Sequence, residues 1–132
     1  MTVQERGESE LQHVDRRHVA ALRSVVGRES AVAVADLFRV LADPTRVSII
    51  HALSLAELCN GDLASILRIS ESAVSHQMHE LRLMKLVTAE KRGRMVYYRL
   101  TDTHIRHIFE DTLRHVQENS HGPNVGRDTL KS

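Results

Sequence analysis

Four side chains near the C-terminus, Asp102, His104, His115 and Glu118, are of the types that hold a divalent cation. Two imidazoles and two carboxylates suit Zn²⁺ in tetrahedral geometry, with Co²⁺ as a mimic. Their spacing decides how they can be used. His104 and His115 are eleven residues apart, about three helical turns, or roughly 16 Å at ~1.5 Å per residue. One zinc ion with bonds of about 2 Å cannot join them along one straight helix. His115 and Glu118, at i and i+3, can converge on one ion. Asp102 and His104 can converge if Asp102 sits at a non-helical N-cap. Each helix would then carry a half-site at either end. An antiparallel partner helix would complete them, and a twofold dimer would make two such sites. The plainer alternatives are that Asp102 only caps the helix and Glu118 is only a solvated end. His107 lies one turn after His104 and reads as a surface residue. If it joined, coordination would rise toward the octahedral preference of Ni²⁺ or Co²⁺.

A second chemistry is electrostatic. The chain has 132 residues, a net charge of +1 and nine histidines, so as a whole it is no obvious polyanion binder. Its charges are unevenly spread. Between Leu81 and Arg99 stand Arg82, Lys85, Lys91, Arg92, Arg94 and Arg99 against one acid, Glu90. Such a cluster is an electrostatic footprint for phosphates. Just before it, Ser72, Ser75, His76 and Gln77 supply short polar groups of the kind that reach base edges and phosphates in the major groove. The alternative is that they merely solvate a helix, and that Arg92 and Arg94 protect a strand edge from pairing.

The elements that must position these groups follow from periodicity. Apolar residues between His13 and Val26 suggest a helix, and Ser30 reads as the N-cap of a second, AVAVADLFRVLA. Asp43-Pro44 reads as N-cap and first helical residue of a third, with Val47, Ile50 and His51 on one side. Asn60 is expected to cap a short helix through Leu67, and Ser70 the next, whose Val74, Met78, Leu81 and Leu83 face inward. Two helices joined by the tight turn Arg68-Ile69-Ser70 make a helix-turn-helix. VTAEKRGRMVYYRL then alternates about Arg92-Gly93, Val87, Ala89 and Lys91 leading in and Val96, Tyr98 and Leu100 leading out, which is a β-hairpin with a basic tip. Ile105, Ile108, Phe109, Thr112, Leu113 and Val116 keep the spacing of an amphipathic final helix. The expected fold is mainly α with a small β-hairpin, a winged helix-turn-helix in the order α-α-α-α-α-ββ-α. Residues 1–30 are expected to form a partly mobile arm and helix, 31–119 the DNA-binding and dimerisation domain, and 120–132 a flexible tail.

Composition narrows the class. Two Tyr, two Phe and no Trp leave an aliphatic core. No run approaches the ~20 apolar residues of a membrane span, and the polar, acidic start reads as no signal peptide. A single cysteine, Cys59, excludes an internal disulfide and suits a reducing cytoplasm. No nucleophile–base pair or glycine-rich phosphate loop is visible, so catalysis is not expected.

Residues 36–118 resemble the ArsR/SmtB family of metal-sensing repressors, most of all its SmtB-type zinc sensors. The resemblance is carried by VLADPTR (40–46), ELCNGDLA (57–64), SESAVSHQMHELR (70–82), LV (86–87) and KRGRMVYYRLTDTHI (91–105). It implies a dimeric winged helix that binds an inverted repeat in double-stranded operator DNA and is released when zinc binds. It also implies the same four ligands, as the pattern D-x-H-x(10)-H-x-x-E, and a relay from the second ring nitrogen of His115 to a backbone carbonyl near Lys85. Cys59 stands where the family has a sensing or accessory thiolate. With Asp62 and the N-terminal His13 and His18 it would form a second, mixed site suited to zinc rather than to soft ions. Equally, Cys59 can be a small buried hydrophobe and Asp62 can serve the helix start. The rivals are a nickel or cobalt sensor of the same family, a metal-independent winged-helix module, and a small metalloenzyme or zinc buffer.

Overall fold

A computed structural model of the chain describes residues 15–25 and 27–120. By compactness it divides into two units, Met1–Arg39 and Val40–Ser132. The first unit carries helix α1 (Arg16–Val25) and most of α2 (Arg28–Leu41). The Asp15 carboxylate accepts the backbone N–H of His18 at 3.0 Å and starts α1. The second helix begins two residues before the expected cap: Ala31 N–H already donates to the carbonyl of Gly27 at 3.1 Å, so Ser30 lies inside the first turn. Neither helix buries a residue. Val25, Val34 and Phe38 are all more than half exposed and line a shallow apolar groove together with Ala31 and Ala35.

The second unit is the winged helix. Helix α3 (Pro44–Leu55) starts as expected: Asp43 is extended and its carboxylate takes the Arg46 N–H at 3.0 Å, with proline in the first turn. Strand β1 (Leu58–Cys59) runs directly into α4 (Asn60–Leu67). The cap of α4 is Cys59, not Asn60. The Asp62 N–H donates to the Cys59 sulfur at 3.4 Å while the Asp62 carboxylate takes the Cys59 N–H at 3.3 Å, a reciprocal capping box. Arg68, left-handed at φ 58°, ends α4 and turns the chain. Ser70 then caps α5 (Glu71–Leu83) through the Ala73 N–H at 3.0 Å.

The hairpin follows as β2 (Val87–Arg92) and β3 (Met95–Leu100), and α6 (Thr103–Asn119) closes the unit. The expected alternation gives the observed register, with Val87 opposite Leu100, Ala89 opposite Tyr98 and Lys91 opposite Val96. The turn itself is Gly93-Arg94, with Gly93 at φ 63°, a conformation that costs glycine no steric clash. The short strand β1 was not expected. It pairs antiparallel with β3, Leu58 opposite Tyr98 and Cys59 opposite Tyr97, so the sheet is three-stranded in the order β1-β3-β2. Two residues are too few for an alternation to show.

The core is aliphatic, as the composition requires. Ile49, Ile50 and Leu53 of α3, Leu63 of α4, Val74, Met78 and Leu81 of α5, and Leu86 are all nearly or fully buried, with Tyr98 and Leu100 from the sheet. On α3 the inward side is therefore Ile49-Ile50-Leu53, and Val47 is 41% exposed. Leu83 faces out at the end of α5, 64% exposed. No helix of the described residues is long and apolar enough to cross a membrane.

Candidate metal centre and nucleic-acid interface

Helix α6 sets the metal-capable residues. Asp102 is extended, and its Oδ1 accepts the N–H groups of His104 at 2.9 Å and Ile105 at 3.2 Å. That cap leaves Oδ2 available and brings the carboxylate to 3.4 Å from His104 Nδ1. Capping and metal binding are therefore compatible uses of Asp102. At the other end, Asn119 Nδ2 donates to His115 Nε2 at 3.0 Å. An amide nitrogen can only donate, so this bond places the ring proton on Nδ1. A cation taken at Nε2 would displace Asn119. Asn119 was missed in the sequence; its only signal is the i, i+4 spacing from His115. The bond described for His115 goes to Asn119.

The two pairs stay at opposite ends of one helix. Among the described residues, no three metal-capable side chains converge within the chain. His104 and His115 are exposed, as are Glu118 and His107. Two imidazoles and two carboxylates open to solvent fit a divalent ion of borderline hardness, provided the two ends are brought together.

The inner side of α6 explains how that helix is held. Ile105, Phe109 and Leu113 are half-buried. Phe109 packs on the ring of His51 from α3, centroids 5.2 Å apart and tilted by 38°. This links α6 to α3, the helix that precedes the helix-turn-helix. Ile108 and Val116 remain 42% and 56% exposed.

Of the residues expected at a second site, Cys59 and Asp62 meet in the cap of α4. Cys59 is buried, and its sulfur and the Asp62 carboxylate are both committed to the cap of α4. His18 lies on α1 in the other unit, bonded to its neighbour Asp15. His13 lies outside the described residues.

On α5, Ser72, Ser75 and His76 are exposed. Ser72 Oγ lies 3.2 Å from the capping Ser70 Oγ. Gln77 is half-buried, and its side-chain oxygen accepts from Arg46 Nε at 2.8 Å. Arg46 also donates to the Val40 carbonyl at 3.1 Å. Gln77 is thus tied to the start of α3, with its amide NH₂ left for an outside partner. Asn60 links three elements: it donates to Glu71 at 3.1 Å and accepts the Val96 N–H at 3.4 Å.

The wing arginines part company. Arg94 lies exposed in the turn. Arg92 is the last residue of β2, opposite Met95, and binds Glu90 at 2.9 Å and Glu57 at 2.5 Å. The guanidinium hydrogen bond and charge hold the Glu90 carboxyl below the usual range, and the bonds to Glu90 and Glu57 push Arg92 further up.

The family model described as bacterial regulatory protein, arsR family, matches residues 43–89, from the cap of α3 into β2. The chain is 43% identical over 94 residues to a transcriptional repressor SmtB homolog from Synechocystis sp., which covers 71% of each. It is 32% identical over 110 residues to a cadmium resistance transcriptional regulatory protein CadC homolog from Staphylococcus aureus, covering 83% of this chain and 91% of the relative. The solution structure of apo-NmtR superposes with a TM-score of 0.65 at 33% identity, covering 74% of this chain and 82% of that one. The helix-turn-helix, the wing and the matched span agree, and the chain belongs to the ArsR/SmtB family of metal-sensing transcriptional repressors, which are winged helix-turn-helix DNA-binding proteins rather than enzymes.

Proposed function

We propose that the protein is a homodimeric repressor that releases its operator when zinc binds at two sites shared between the chains. Each site takes Asp102 and His104 from one protomer with His115 and Glu118 of the partner subunit. The observation that carries this reading is the division of α6, with one donor pair at the N-cap and the other three turns away. Exposed Ile108 and Val116 beside them supply an apolar strip for the partner helix. Asp102 keeps one oxygen for a ligand while the other holds the helix end. His115 gives up Asn119 and presents Nε2. When bound, zinc would supply a rigid cross-link between the two α6 helices. Release requires the ion to prefer a dimer geometry that fits DNA poorly, since only differential affinity shifts such a balance. His51 against Phe109 is the contact through which a shift of α6 reaches α3 and the reading heads.

DNA is read, in this proposal, by α5 through Ser72, Ser75 and His76, with the free amide of Gln77, while Arg94 engages the backbone from the wing. The operator is an inverted repeat matching the twofold axis.

A nickel or cobalt sensor at the same helix is the second reading. Exposed His107, one turn from His104, is the observation that favours it, because a fifth donor raises coordination number. A cadmium site of several thiolates has no counterpart in a chain with one cysteine.

The test uses DNA selected from a random pool by the metal-free protein. Zinc should weaken that complex by about 5- to 150-fold, a coupling of ~1–3 kcal/mol. Nickel and cobalt are titrated in parallel. Release by nickel but not zinc would select the second reading, and no release by any of the three would reject both.

A further inference from the structure

Arg92 and Arg94 flank the same glycine, yet their surroundings differ. The pleat puts Glu90 and Arg92 on one face of the hairpin. Tyr97 stands directly opposite Glu90 in the register and so shares that face. There the Arg92 guanidinium lies 4.6 Å from the Tyr97 ring centroid. Its Nη2 binds Glu90 at 2.9 Å and its Nη1 binds Glu57, from the segment before β1, at 2.5 Å. Both terminal nitrogens are committed to carboxylates. Two acids therefore offset the charge of this one cation at the base of the wing. A phosphate reaching Arg92 must compete with two acids already on the same fork, whereas Arg94 in the turn meets it directly.

We propose that Glu57 and Glu90 withhold Arg92 from the DNA backbone, so that the wing engages phosphate through Arg94 and Glu57 sets how much sequence-independent affinity the repressor has. Each phosphate contact strengthens binding to every sequence alike. Withholding one per wing lowers affinity for bulk DNA and leaves base reading by α5 untouched. The inference rests on the wing lying against the backbone.

The experiment follows anisotropy of a labelled random-sequence duplex of about 30 base pairs with the full chain, between about 50 and 200 mM salt. Arg94→Ala should make the slope of log K against log salt shallower by about 0.9 for each wing that touches DNA. Arg92→Ala should leave the slope unchanged. The double variant Glu57→Gln/Glu90→Gln should free Arg92, steepen the slope by a similar ~0.9 per wing, and bind roughly tenfold tighter at about 100 mM salt. Adding Arg92→Ala to that double variant should abolish the steepening, which separates release of Arg92 from mere removal of two acids. Thermal unfolding checks that each variant is folded. A slope loss in Arg92→Ala like that in Arg94→Ala overturns the proposal. So does a double variant with no gain, or a gain that survives Arg92→Ala. An unchanged slope in Arg94→Ala instead removes the wing contact itself.

Discussion

At the scale of single residues, several side chains hold two jobs, and geometry ranks them. Asp102 caps α6 with one oxygen, and in the proposed site the other takes the cation. His115 shares Nε2 with Asn119, so His115→Gln should keep metal-free DNA binding and lose the zinc effect. Separate titrations of zinc and of selected DNA check this; normal release by the variant would remove His115 from the site. Cys59 is different, because its sulfur is occupied by the cap of a helix. Serine caps helices as well. Cys59→Ser should therefore leave zinc-driven release intact, while Cys59→Ala should cost about 1 kcal/mol of stability through the lost cap. Denaturant unfolding measures the second effect. Loss of metal response in Cys59→Ser would make Cys59 a ligand of the sensing site. Glu90 offers a pH signature. Its pKa is lowered by Arg92, so its pairing contributes above the unfolded carboxyl pKa. That contribution fades as pH falls through the lower folded value.

Among elements, what was legible in the sequence was what local signals control. Asp43-Pro44 and Ser70 mark their helix starts because a cap is a one-residue event. The hairpin register follows from the alternation of Val87, Ala89 and Lys91 against Val96, Tyr98 and Leu100. Two local starts were misplaced, α2 beginning two residues before the cap expected at Ser30 and α4 being capped one residue before Asn60, and most of the rest that escaped depends on contacts distant in the chain. Strand β1 exists only because β3 supplies its partner. Arg46 reaches Gln77 across thirty-one residues, and Glu57 reaches Arg92 from the segment before β1. Arg92 itself looked equivalent to Arg94 until the turn proved to be Gly93-Arg94, which leaves Arg92 in the strand. Two non-glycine residues, Arg68 and Lys85, take left-handed backbone at φ 58° and 57°. That conformation costs an L-residue roughly 1–2 kcal/mol, partly offset by glycine's larger unfolded-state entropy. Arg68→Gly should thus stabilise the protein by about 0.5–1 kcal/mol. A thermal midpoint that rises by a few degrees supports this; a fall would show that the Arg68 side chain makes up the strain.

At the scale of the molecule, one chain leaves apolar surface uncovered. Ile108 and Val116 on α6 are 42% and 56% exposed, and Val25, Val34 and Phe38 in the N-terminal unit are all more than half exposed. Leu113 is half-buried by its own unit, so a charge at Ile108 or Val116 probes association with less damage to the fold. Ile108→Glu/Val116→Glu should sediment as a monomer at micromolar concentration and bind DNA weakly. A variant that remains dimeric would place the interface elsewhere. The central claim is that the metal sites are shared between protomers, and mixed dimers test it directly. One variant carries Asp102→Ala/His104→Ala, the other His115→Ala/Glu118→Ala. Either variant alone should hold no tight zinc, because every site in its dimer lacks one half. Refolded together, the two should form a mixed dimer that binds one zinc tightly, from His104 of one chain and His115 of the other. If the mixture gains no zinc site over the separate variants, the ligands do not come from two chains and the account is wrong.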